Sequence, residues 1–158
     1  MKNKMEIRQA TQADLPEIIE LWKEFMDFHR DLDCFYTRSQ DGPSNFHKHL
    51  ESLFESEDDA LLVAEVSGKP VGYAKIGISQ YPPVFEMEKY GLISDVAVAK
   101  HYRRKGIGEA LFNRSMDWFS EKGIERVELR VANVNPVAQG FWKKMGFRPY
   151  MTTMFKEK

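Results

Sequence analysis

The chain has 158 residues, a net charge of −1 and one cysteine, Cys34. That length buries a core without a disulfide or metal staple. The near-neutral charge argues against general nucleic-acid binding, and Cys34 has no internal disulfide partner, which suits a reducing, cytoplasmic setting. No apolar run approaches the roughly 20 residues of a membrane span, and Met1-Lys2-Asn3-Lys4-Met5-Glu6 lacks the apolar stretch of a secretory signal, so no membrane partner is expected.

In chain order, Glu6–Arg8 reads as a short strand and Thr11-Gln12-Ala13-Asp14 as a helix opening of the capping-box type. Leu15, Ile18, Ile19, Trp22, Phe25 and Met26 recur at helical spacing and predict an amphipathic helix ending near His29. Residues 31–43 mix charge with Cys34, Phe35 and Tyr36 and read as a loop. A second helix is expected over Asn45–Phe54, closed by the acidic run Glu55–Asp59. Ala60–Val66 and Val71–Ile78 read as strands around the hairpin turn Ser67-Gly68-Lys69-Pro70, and Gln80–Tyr90 as a loop.

Val96 and Val98 alternate with smaller residues, so Ser94–Ala99 is expected to be a strand. A helix with the stripe Ile107, Ala110, Leu111 and Trp118 follows and stops at Lys122-Gly123, where glycine suits a C-cap. Glu125–Val131 alternates again and predicts another strand. Asn135-Pro136 opens the last helix with a favoured N-cap and first residue, Gly146 ends it, and Phe147–Phe155 reads as a final strand. The order βααβββαβαβ predicts one α/β domain over residues 1–158, a mixed sheet with helices on both faces.

The chemistry concentrates between Ser94 and Leu111. Lys100, Arg103, Arg104 and Lys105 gather positive charge where a helix begins. The first helical turn leaves N–H groups without partners and carries partial positive charge. Gly106 and Gly108 lack Cβ atoms, so a phosphate can approach the main chain around Ile107 closely. A Walker loop would need Gly-Lys-Ser/Thr where Gly108 is followed by Glu109, and a dinucleotide fingerprint would need Gly or Ala where Leu111 stands.

Arg103-x-x-Gly106-x-Gly108 after a strand resembles the pyrophosphate loop of the GNAT superfamily of N-acetyltransferases. Asn135-x-x-Ala138-x-x-Phe141-Trp142-x-Lys144-Met145-Gly146-Phe147 resembles a second signature of that family, in the expected order. The resemblance covers nearly the whole chain. It implies a GNAT-like fold whose sheet is mostly antiparallel, with a central strand pair that splays to admit pantetheine. It implies acetyl-CoA as cosubstrate and no metal. Arg103, Arg104, Lys105, Gly106, Ile107 and Gly108 would hold the diphosphate. Val96 and Val98 would lie along the acyl arm, with a main-chain N–H between them polarising the thioester. Asn135 would contact pantetheine or cap its helix.

A base must take a proton from the incoming ammonium. Asp95 is the leading candidate, against the competing reading of a structural aspartate bonded to backbone; Ser94 could only hold a water, and Glu86 and Glu88 rank behind. Relatives that place Tyr at the position of Trp142 offer it as an acid, and an indole N–H cannot serve so. Trp142 is therefore expected to be packing. His47 and His49, two apart on a helix, would face different ways and do not suggest a metal pair.

Tyr36, Tyr81, Phe85 and Tyr90 beside Asp31, Asp33, Glu86 and Glu88 would suit a small cationic amine. The acceptor is thus expected to be a primary amine: a small amine, an amino acid or a peptide. A non-catalytic acyl-CoA sensor is the alternative, and a nucleic-acid-binding role for Lys100–Lys105 a further one. A homodimer through the last strand is compatible with the resemblance.

Overall fold

The computed structural model describes residues 4–158, so the first three residues of the stretch read above for a leader lie outside it. The elements are β1 (Met5–Gln9), α1 (Leu15–Leu32), α2 (Gly42–Leu53), β2 (Asp59–Val66), β3 (Lys69–Gln80), β4 (Lys89–Val98), α3 (Ile107–Glu121), β5 (Val127–Leu129) and α4 (Pro136–Lys144). The strands form one sheet in the order β1-β2-β3-β4-β5, antiparallel up to β4 and parallel between β4 and β5.

β2 shows why both faces are covered. Its near-continuous apolar run sends Leu61 and Val63 to one side with Leu15, Ile18 and Leu50, under α1 and α2. Leu62 and Ala64 go to the other side with Leu111 and Phe119 of α3. The N-terminus of α1 is fixed by charge. Arg8 donates to both Asp14 carboxylate oxygens at 2.8 Å and to Glu65, and Asp14 also accepts the Thr11 N–H at 2.7 Å.

Several sequence expectations shift. β4 begins at Lys89 instead of Ser94, and β3 runs on to Gln80, so the expected loop 80–90 shortens to residues 81–88. α1 continues to Leu32, and α2 starts at Gly42 with Pro43 in its first turn. β5 is confined to Val127–Leu129 because only these residues meet β4. The final strand is absent. Residues 147–155 have β-forming side chains but no ladder, and Met151, Met154 and Phe155 stand in solvent.

Candidate active site

Two features of β4 create the site. First, β5 pairs only with Gly91–Ile93, so among the described residues no strand pairs with 94–98 on that side, where the two parallel strands diverge. Second, the ladder to β3 steps from Lys75↔Asp95 to Ile76↔Ile93, leaving Ser94 as an extra residue. Across this bulge Ile93 shares its face with Val96 and Val98, against α3. Asp95 and Ala97 turn to the opposite face, beneath α1 and α2.

On that face Asp95 lies among Tyr73 and Lys75 of β3, His49 of α2 and His29 of α1. Burial pushes its pKa above the ordinary carboxylate value, against the pull of Lys75, Tyr73, His49 and His29. The Tyr73 hydroxyl is fully buried without a hydrogen-bond partner among the described residues, yet near enough to Asp95 that each influences the other's ionisation. Lys75 Nζ meets His49 Nε2 at 3.1 Å and lies over the Phe46 ring. Burial, then Lys75, lowers the His49 pKa, while Asp59 and Asp95 oppose this. The cluster thus holds a desolvated carboxylate able to accept a proton. Tyr73, Lys75, His49 and His29 carry no motif that marks them in the sequence; the only signals were polar residues within apolar runs.

At the end of β4 the chain turns into α3. Arg104 (φ 61°) and Gly106 (φ 81°) are left-handed, a conformation that gathers successive main-chain N–H groups ahead of a helix. A Cβ at Gly106 would meet nothing within 4 Å, and one at Gly108 would meet only the Phe141 ring, at 3.5 Å. The loop is therefore open towards an incoming group, and Arg103, Arg104 and Lys105 are exposed beside it. Arg103 does not point freely outward. Its guanidinium donates to Glu24 of α1 at 2.8 Å and to the Val98 carbonyl at 2.9 Å.

Asn135 is buried, and its side chain is engaged twice. Oδ1 accepts the Ala138 N–H at 3.1 Å, and Nδ2 lies 3.4 Å from His29 Nε2. His29 Nδ1–H donates to the Phe25 carbonyl, which leaves Nε2 as the acceptor. Trp142 packs edge-on against Phe112, Phe141 and Phe147.

The aromatic and acidic residues expected to line an acceptor pocket separate into groups. Tyr36 joins His29 and Phe35, whereas Tyr81 stacks on Tyr90 beside Phe85, with its hydroxyl on Glu128 of β5. Asp31 pairs with Arg30, and Asp33 accepts the Phe35 N–H. Both carboxylates remain exposed to solvent. His47 lies 3.6 Å from Glu51, away from His49's partner Lys75. Among the described residues no helix is long and apolar enough to cross a membrane.

Comparison with known proteins agrees with this geometry. Residues 16–147 match the acetyltransferase (GNAT) family. An uncharacterized N-acetyltransferase of Archaeoglobus fulgidus is 30% identical, covering 91% of this chain and 93% of its own length. Another, from Methanocaldococcus jannaschii, is 30% identical over 89% of this chain, which spans only 59% of that protein. A tetramutant of the BH1408 protein of Bacillus halodurans superposes with a TM-score of 0.85, at 26% identity, covering 97% of this chain and 99% of its own.

Proposed function

Because the chain belongs to the acetyltransferase (GNAT) family, we propose that it moves the acetyl group of acetyl-CoA to a primary amine by direct attack within a ternary complex. The acceptor class is a small amine, an amino acid or a peptide, and residues 1–158 act as one N-acetyltransferase domain. The observation that carries this reading is the divergence of β4 from β5 beside the open, left-handed loop that starts α3. A strand edge without a partner can receive an extended amide-bearing arm, and a helix N-terminus beside it can receive a diphosphate.

Acetyl-CoA supplies an acyl thioester already activated towards amines. The residues of the chain supply the rest. Main-chain amides of Gly106, Ile107 and Gly108 hold the diphosphate, with Arg104 and Lys105 adding charge. The free edge at Val96 and Val98 orients the acyl end, and an N–H there faces its oxygen. Asn135 acts by capping α4 and so fixing the other flank of the cleft. Asp95 takes a proton from the substrate ammonium, directly or through a water, before the freed amine adds to the thioester carbonyl; the C–S bond then breaks and CoA leaves as its thiolate. The desolvation that raises its affinity for protons suits it to that task.

The proposal extends to a homodimer joined through residues 147–155. Tyr150, Met151, Met154 and Phe155 are exposed, the Tyr150 hydroxyl reaches Glu128 of β5, and among the described residues no strand pairs with the outer edge of β5.

The test is calorimetry with acetyl-CoA and free CoA, followed by thiol release with a panel of amines, amino acids and peptides. Binding of the coenzyme and amine-dependent thiol release are expected. Absence of binding at millimolar coenzyme would overturn the reading.

A further inference from the structure

The geometry points to Glu24 as the residue that positions the phosphate loop for the coenzyme, with Arg103 acting through Glu24 rather than on the phosphates. This rests on the proposed binding of coenzyme at that loop.

The segment between β4 and α3 is anchored at Ala99, whose N–H bonds the Val71 carbonyl at 2.8 Å, and at Tyr102, which packs against the core under α3; around these anchors little else holds it. His101 and Arg103–Gly106 are exposed, and its internal main-chain bonds are few: Tyr102 N–H to the Ala99 carbonyl at 2.8 Å and Arg103 N–H to the Lys100 carbonyl at 3.4 Å. Exposed segments with few bonds open easily. Glu24 supplies what is missing. One of its carboxylate oxygens accepts both the Lys100 main-chain N–H at 2.9 Å and Arg103 Nη2–H at 2.8 Å. The Arg103 guanidinium then reaches back to the Val98 carbonyl through Nε–H and stands 5.7 Å from the centre of the Phe28 ring. Glu24 and Phe28 are four apart on α1, so a single helical face grips the loop from two sides.

The same helix holds the other flank, since His29 meets the side chain that caps α4. Both signature stretches are thus tied to residues 24–29 of α1, a helix neither of them contains. Arg103, with Nε and Nη2 committed, is a strut within the protein.

Electrostatics alone makes the opposite forecast, which makes the inference testable by sign. A carboxylate beside a diphosphate site repels the ligand and competes for Arg103. If Arg103 were a phosphate ligand, removing the Glu24 charge would tighten coenzyme binding. If Glu24 positions the loop, removing it loosens the loop and weakens binding.

Calorimetry with free CoA should compare the wild type with Glu24→Gln, Glu24→Ala, Arg103→Gln and the Glu24→Gln/Arg103→Gln double variant. The expected result is a Kd raised about three- to tenfold in Glu24→Gln, as for loss of one partly exposed charge-assisted contact, with Glu24→Ala at least as weak. The double variant should be no weaker than Glu24→Gln alone, because Arg103 acts through Glu24. The KM for acetyl-CoA should rise while kcat and the KM for the amine stay put, and amide exchange over residues 99–106 should quicken. Unchanged or tighter CoA binding in either Glu24 variant, or additive losses in the double variant, would overturn it. Should the wild type bind no CoA, the coenzyme reading fails, and the exchange rates still decide whether Glu24 holds the loop.

Discussion

Lys75 stands opposite Asp95 across the β3–β4 ladder because Ser94 is an extra residue in β4. Without that bulge, strand alternation would put position 95 on the same face as Ile93, against α3. The bulge turns the carboxylate under α1 and α2, beside the buried Tyr73 hydroxyl.

Asp95→Asn separates a catalytic from a structural aspartate. As the base, Asp95 accounts for about 10²–10⁴ of the rate, so kcat/KM falls by that order. Its folded pKa lies above the ordinary value, so its contribution to stability is complete below that value and is lost as pH rises through the folded pKa. At neutral pH the ionised group therefore costs stability, and Asn relieves the cost; thermal unfolding should occur at the wild-type temperature or above it. A marked drop in Tm would assign Asp95 to structure instead.

Lys75 pulls the Asp95 pKa down against burial. In Lys75→Met the acidic limb of the kcat/KM profile should move to higher pH, and Lys75→Arg should restore it. An unmoved limb in both variants would remove Asp95 from the mechanism.

Asp14 gives the fold an acid-sensitive fixture. Its carboxyl, held chiefly by the Arg8 side chain, has a pKa lowered from 3.8 to about 2. The stability it lends is present above pH 3.8 and disappears as pH falls through about 2. Asp14→Asn should cost roughly 1–2 kcal/mol at neutral pH and much less near pH 2, measured by urea unfolding at both.

Gly106→Ala places a Cβ at φ 81°, in open space. Strain should cost about 1 kcal/mol of stability. Coenzyme affinity should fall more steeply than stability, since the methyl stands where the diphosphate approaches the main chain. Calorimetry showing wild-type affinity would move the diphosphate elsewhere.

Trp142→Phe keeps an aromatic ring among Phe112, Phe141 and Phe147 and should retain most of the kcat. A collapse of kcat in a folded variant would give the indole a chemical part.

The element order was legible up to its last member because the apolar periods of the helices and of β2 and β3 are local and unambiguous. The two signature stretches were equally legible, since Gly106 and Asn135-Pro136 act on the backbone next to them. The end of the chain was misread for the opposite reason. Phe147–Phe155 has strand-forming residues, but a strand exists only where its main-chain groups pair with a neighbour, and this segment touches β5 through the Tyr150 side chain without forming a ladder with it. β5 was overlong in the sequence reading for the same cause: pairing with three residues of β4 sets its length.

By itself the sequence determined the layers, the basic glycine loop and the family, because each is written in residues close together along the chain. Only the tertiary structure decided what those residues face. It took Arg103 to Glu24, closed the Asn135 amide onto His29, set Asp31 beside Arg30 and turned Asp95 inward beside Tyr73. Partners separated by tens of residues are chosen by the packing of helices on a bulged sheet, and no local spacing records that choice.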